Sequence, residues 1–471
     1  MKDRDILITM KSTDTGRWAE GWPWRTFFGI WLIYLLTAQG RIGLEDASSM
    51  LNVSRSVLSG SIHVPEGYLT VVGVDGRFYC HYGPLTSVLW LPFVIVGRGL
   101  HALGAPPTEE QCEELVVSFV SGLIAVICLG YLCWLWRERG VSSGRVRAGL
   151  WLWGMTTCLW PYSRLPGSDL LMGLAVLAAV VHFELRREQA RHLWLTGLWL
   201  GLAVLARKQA QTIVPILGMW MFWRCWEESR DQKTAPVGLS RLWWIVTGTV
   251  MPFLVQLTYN QLRYGSPFIE KYAGVVLQAP TLGLWFERIG RLLFGWEHGF
   301  LVYNGVTVLV VCLAIPSLSG STRRLLALLG VLLTSQIAFL ATLQFWEGGV
   351  CFGSRFLVFL ALLAALFWPE VSFSGSSRRK WLLGLVAGLS VAVQLLGVLV
   401  DPLTGFRRAE LEPGRAHNQT IGLALESLRV LHIPAGRLSS EAANDAVMRH
   451  PPFQVPDFWW CQIRLFRLIC G

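Results

Sequence analysis

Charge is scarce in this sequence. Acidic and basic residues make up 15% of its 471 positions, against 53% hydrophobic residues and 24 tryptophans. A soluble domain carries about a quarter charged residues, so a single soluble domain is excluded and a chain that crosses a membrane many times fits. Chemical signatures are scarce too. The chain has no GxxxxGK[ST] phosphate loop and no HExxH, which removes support for ATP-driven transport and for zinc-dependent hydrolysis of the HExxH type. Its ten cysteines form no CxxC pair and have no histidine partner at metal-ligand spacing. Cys128, Cys133, Cys158 and Cys312 sit in apolar runs and are expected to be small core residues.

What charge there is comes in short basic clusters. The formal net charge is +10, yet Arg137-Glu138-Arg139, Arg186-Arg187, Arg323-Arg324 and Arg378-Arg379-Lys380 each lie between apolar runs. That is the distribution of cytoplasmic loops under the positive-inside rule, and it argues against a nucleic-acid partner. Residues 1–23 are polar and mixed in charge, with no small-residue cleavage site after the first apolar run, so no cleavable signal is expected.

Apolar runs at residues 24–39, 114–136, 150–160, 170–185, 193–206, 211–226, 242–257, 301–315, 325–343, 357–368 and 381–400 predict an all-α membrane protein. It has about eleven spans, with the N-terminus inside and the C-terminus outside. Residues 84–103 are apolar but carry Pro92, Gly97 and Arg98, and are expected to be re-entrant or interfacial. A crossing there would put the basic stretch 137–147 on the outer side. Residues 1–400 form the transmembrane domain, and 401–471 are expected to be an outer tail of mixed order. Cys80, Cys351, Cys461 and Cys470 face outward in this topology and leave a disulfide open without choosing a pair.

The first outer loop, 41–83, opens on adjacent carboxylates, Glu45 and Asp46. Ala47, Met50, Leu51, Val53, Val57 and Leu58 then recur at helical spacing, which predicts an amphipathic helix on the membrane surface. A Gly-rich aromatic turn follows in DGRFYCHYGPL. A carboxyl pair at the mouth of a membrane bundle is costly to desolvate, which points to chemistry. The competing reading is a solvated pair favouring the start of that helix.

The stretches LEDASSML, DGRFYCHYGPL, YSRLPGSDLL, GLWLGLAVLARKQA, YNQLRYGSPF and FWEGGVCFGSRF occur in that order from residue 41 to about residue 370. Together they resemble the bacterial polytopic glycosyltransferases of the GT-C fold, including the protein O-mannosyltransferase-like and lipid A aminoarabinose transferase-like enzymes. The resemblance implies transfer of a sugar from a polyprenyl-phosphate carrier to a lipid, glycan or protein acceptor. The reaction would take place on the extracytoplasmic face of the plasma (inner) membrane.

It also implies roles for residues. Glu45 falls where the family has its first acid, normally Asp, and Asp46 where Glu is common; the order is reversed here, and either fits the general base. Asp169 fits the second acid, although Ser168 and Asp169 also suit a helix N-cap. His81 stands where the YGP motif often carries a phosphate-contacting Lys, and at neutral pH a histidine is mostly uncharged. Arg207 matches an Arg after a small-residue run, with Lys208 replacing a small residue or Pro; both equally fit side chains snorkelling to an interface. Arg355 follows a Gly-rich aromatic loop close to the pattern Trp-Gly-Gly…Gly-x-Arg, and suits a lipid phosphate or an interfacial anchor. Glu297-His298-Gly299 replaces an often basic segment. Tyr82, Trp346 and Phe352 either stack on a sugar or border the lipid. No cofactor is required, and the acids leave a divalent cation open. The rival classes are a transporter or lipid-linked sugar flippase, for which no inverted repeat is visible, and a non-catalytic scaffold.

Overall fold

A computed structural model describes residues 21–67, 69–231, 235–268, 280–296, 298–344, 346–348, 351–372 and 377–399. The expected tail with Cys461 and Cys470, and Glu297, lie outside these residues. The chain is a helical bundle. Helix α1 (Trp24–Thr37) leads to α2 (Glu45–Leu58), a hairpin of β1 (Thr70–Val72) and β2 (Phe78–Cys80), and α3 (Leu85–Ala102). Next come α4 (Glu109–Ser118), α5 (Val120–Glu138), α6 (Ser143–Thr156) and α7 (Leu159–Arg164). The centre is built from α8 (Ser168–Arg186), α9 (Ala190–Ala206), α10 (Ala210–Asp231) and α11 (Ala235–Tyr264). The last part has α12 (Leu282–Phe294), α13 (Phe300–Tyr303), α14 (Gly305–Ala314), α15 (Gly320–Leu340), α16 (Val358–Ala364) and α17 (Ser377–Leu399).

Six helical stretches among the described residues are long and apolar enough to cross a membrane: α3, α4 with α5 as one 30-residue stretch, α8, 240–264 within α11, α15 and α17. Of the other expected spans, α10 has 22 residues but is less apolar, and the rest are shorter helices. Helix α1 has 14 residues, a rise of about 21 Å against a hydrocarbon core of about 30 Å.

Helix α3 runs unbroken for 18 residues, where an interrupted segment was expected. Each feature that reads as an interruption has its own place in the packing. Pro92 is on an exposed face. A Cβ on Gly97 would stand 2.5 Å from Glu113 Cα, so this glycine sets the close approach of α3 to α4. Arg98 Nε donates to Glu113 Oε1 at 2.7 Å.

The expected aromatic turn in the first loop is an antiparallel hairpin, with Thr70 opposite Cys80 and Val72 opposite Phe78. The amphipathic helix predicted after Glu45 is α2. Its Ala47, Met50, Leu51 and Val53 are buried, and Arg55 Nε donates to Glu113 at 2.5 Å. Glu113, 1% exposed, thereby joins α2, α3 and α4.

At the centre, α8 is buried without a break from Ser168 to Phe183. Helices α9 and α11 pack backbone to backbone. A Cβ on Gly197 would lie 1.9 Å from Ile245 O, and one on Gly248 would lie 2.1 Å from Trp194 O. Gly197 and Gly201 form the small-xxx-small spacing that lets membrane helices approach this closely.

Candidate active site

The ends of α8, α9 and α10 sort the charged residues. Asp169 lies in the first turn of α8, Arg207 directly after α9 and Lys208 just before α10, so all three meet at one end of the bundle. A carboxylate there faces the positive end of the α8 dipole. Asp169 Oδ2 accepts from Arg355 Nε at 2.8 Å, and Asp169 Oδ1 is 2.5 Å from Arg207 Nη1. The other arm of the Arg355 fork, Nη2, donates to Asp46 Oδ2. Asp46 Oδ1 accepts from Ala47 N–H at 3.0 Å.

Arg207 also donates to Ser168 Oγ at 3.3 Å and lies 4.9 Å over the Phe356 ring. Arg355 Nη1 reaches Gly348 O at 3.4 Å. Asp46, Asp169, Arg207 and Arg355 are 4%, 3%, 5% and 7% exposed. Two carboxylates and two guanidiniums therefore form one buried network without net charge. Balanced pairing is what makes burial of four ionic groups tolerable. Beside Asp169 is a small cavity lined by Leu44, Tyr162, Leu165, Pro166 and Gly167.

The second part of the site is the turn between β2 and α3. His81 is 1% exposed, with its ring centroid 4.1 Å from that of Tyr82. Burial first, then the Lys208, Arg263 and Arg207 cations, push its imidazole down to about 3, so it is neutral at physiological pH. Arg263, fully buried in α11, holds this turn. It donates to Cys80 O at 2.6 Å, Tyr82 O at 3.3 Å and Asn260 Oδ1 at 2.7 Å. Its guanidinium is 3.9 Å from the Tyr259 ring centroid and 4.6 Å from that of Tyr264. From the other side, Gly83 presses on the end of α9, where a Cβ would stand 2.1 Å from Leu205 O.

The remaining candidates are more dispersed. Glu45 opens α2, and its side chain lies outside the described part of the structure. Trp346 is 7% exposed, with Arg291 5.0 Å over its ring. Phe352 is buried edge-on against Tyr303 at 4.8 Å. His298 Nδ1 is 3.3 Å from Gly353 O. The eight described cysteines are all free thiols, Cys80 and Cys351 among them. Among the described residues no group of three or more His, Cys, Asp or Glu could hold a metal. Asp46 Oδ2 and both carboxylate oxygens of Asp169 are directed at arginines, so this donor set suits guanidinium rather than a metal cation. Glu113 carries no sequence signal of its role, and Arg263 lies in the YNQLRYGSPF stretch without a role of its own assigned there. The aromatic neighbours Tyr259 and Tyr264 are the only local hint for Arg263.

In three-dimensional comparison the chain is similar to ArnT from Cupriavidus metallidurans bound to undecaprenyl phosphate, with 13% identity over 86% of this chain and 69% of that chain and a TM-score of 0.50. The apo state of the same ArnT gives 14% identity over 85% and 74%, with a TM-score of 0.47. The apo oligosaccharyltransferase of Archaeoglobus fulgidus gives 14% identity and a TM-score of 0.44; the match covers 86% of this chain and spans 60% of that one. No protein-family model and no curated protein sequence matches the chain. The fold is that of the GT-C glycosyltransferases, carried by a multi-pass membrane protein.

Proposed function

We propose that this chain is a glycosyltransferase of the plasma (inner) membrane. It moves a sugar from a polyprenyl-phosphate carrier to a lipid, glycan or protein acceptor on the extracytoplasmic face. The observation that carries this reading is the buried Asp46–Arg355–Asp169–Arg207 network, drawn from four separate segments. Apolar side chains of the same volume would stabilise the bundle as well or better, so the network is better accounted for by chemistry than by packing. The undecaprenyl phosphate bound to ArnT, a protein of the same fold, supports a lipid phosphate as the ligand class.

In this reading an acceptor hydroxyl or amine gives its proton to a first-loop carboxylate, Asp46 or Glu45. The acceptor atom bonds to the anomeric carbon of the sugar. The bond from that carbon to the phosphate oxygen breaks, and its electron pair leaves with the lipid phosphate. Asp169 is a positioning residue, holding Arg207 and Arg355 toward the charge that develops there. No step needs a metal.

Glycosyl transfer in proteoliposomes, supplied with a set of polyprenyl-phosphate sugars, tests the reading. Asp46→Asn or Glu45→Gln, whichever removes the base, lowers turnover by about a hundredfold or more in folded protein. Full turnover in both variants and in the double variant would overturn the first-loop role. A wild-type protein that neither turns over nor binds any donor would overturn the class.

A further inference from the structure

Asp169 joins the two arginines of the site, since Arg207 and Arg355 both pair with its carboxylate. Uncharged side chains join them a second time. Gln209 follows Arg207 by two residues, and Phe356 follows Arg355 directly. Gln209 Nε2 donates to Phe356 O at 2.8 Å and to Gln336 Oε1 at 3.1 Å. Gln336 Nε2 donates to Thr212 Oγ1 at 2.8 Å, and that hydroxyl donates to Gln209 O at 2.8 Å. The bonds close into a ring that fastens the α9–α10 turn to α15 and, through Phe356, to the segment carrying Arg355. The Phe356 ring lies 4.9 Å from the Arg207 guanidinium. The residue that Gln209 holds by its backbone therefore also supports Arg207 on its aromatic face.

Stability does not account for this ring. Gln336 is 0% exposed in a helix long and apolar enough to cross a membrane, where side-chain hydrogen bonds contribute little beyond well-packed apolar groups. The Gln209 amide nitrogen serves two carbonyl oxygens, which leaves Gln209 Oε1 buried with no hydrogen-bond partner among the described residues. That orphaned acceptor is a cost, and it is met by the direction the amide gains. The need for direction is geometric. Two guanidiniums stabilise one developing charge only at a spacing that lets both address it, and a misplacement of about 1 Å costs about a hundredfold in rate. Asp169 holds the guanidinium ends; the glutamines hold the backbone from which the two side chains start.

Resting on the glycosyltransferase reading, we propose that Gln209 and Gln336 are positioning residues of the transfer reaction. They set the spacing of Arg207 and Arg355, the two cations that take up the charge on the departing lipid phosphate. They act through the arginines.

Steady-state transfer in proteoliposomes tests this, with whichever donor of a polyprenyl-phosphate sugar set wild type turns over fastest. Gln336→Met keeps the length of the side chain and removes both of its bonds. It lowers kcat about tenfold or more. Donor KM stays within about twofold, the pattern of an interaction that counts in the transition state alone. The thermal unfolding midpoint stays within a few degrees of wild type, because an apolar group fills the same space. Gln209→Met gives the same loss, and the double variant is no worse than either single one, since the two residues act as a unit.

A kcat within about twofold of wild type in both single variants would overturn the assignment while leaving the glycosyltransferase reading intact. Additive losses in the double variant would also overturn it, as would a raised donor KM at unchanged kcat. A kcat loss matched by a collapse of the unfolding midpoint would overturn it by marking a structural role. A wild type that turns over no donor of the set would overturn the underlying reading, and this assignment with it.

Discussion

The two ends of α8 use the same ion-pair chemistry under different conditions. At the far end, Arg186 pairs with Glu138 at 2.8 Å with side chains 36% and 20% exposed. Glu228 there is shared by Arg187 at 2.6 Å and Arg241 at 3.0 Å, again partly exposed, and Arg324 pairs with Glu227. At the near end the Asp46, Asp169, Arg207 and Arg355 side chains are 4–8% exposed. The helix between them is 19 residues long, about 28 Å. The pairs named at the far end keep part of their contact with water and contribute less each. Those at the near end have lost that alternative, so removing one partner strands the other. Under the proposed function, the contrast separates charges that orient the chain from charges that are held for use.

Breaking the near end gives the largest effect. Arg355→Leu strips the buried Asp46 of its guanidinium beside the remaining Asp169–Arg207 pair and costs about 3–5 kcal/mol, read as a drop in the thermal unfolding midpoint of the purified protein. Gly83→Ala follows, since its Cβ would meet Leu205 O at 2.1 Å. It costs about 1–3 kcal/mol, and it displaces the His81 turn from α9, so transfer falls further than stability does.

The third prediction concerns pH. The His81 imidazole takes a proton near 6.5 when unfolded but only near 3 in the folded protein. Between those values the unfolded chain binds more protons. This contribution is therefore full above 6.5 and shrinks as pH falls toward 3. Unfolding midpoints measured from pH 7.5 to 5 should fall more in wild type than in His81→Gln; parallel curves would refute the placement of His81. The smallest effect belongs to the far end, where Arg186→Ala changes stability by about 1 kcal/mol or less. A large loss there would erase the contrast between the two ends.

Asp46, Asp169, Arg207 and Arg355 could be picked out from the sequence because each is a charge beside a turn or apolar run. Hydropathy contrast marks such positions. Their union could not be read. Arg355 lies 309 residues from Asp46 and 186 from Asp169, and no periodicity reports a contact of that range. Arg263 shows the opposite case. An arginine in the last turn of a helix looks the same in sequence whether it faces lipid headgroups or, as here, the carbonyls of a distant strand. Pro92, Gly97 and Arg98 read together as a break, because composition does not separate an exposed proline from a packing glycine and a paired arginine. The hairpin was hidden for a simpler reason: strands of three residues are too short for an alternating pattern to register.

The glycine contacts between α9 and α11 have a mechanical consequence. Gly197 and Gly248 bring the two backbones so close that neither helix can slide past the other. The first outer loop is riveted to this pair twice, by Gly83 against α9 and by Arg263 of α11. Helices α9 and α11, the loop and the Arg207–Lys208 turn are thereby packed into one unit. Under the proposed function, an opening that admits a long lipid carrier lies elsewhere on the molecule.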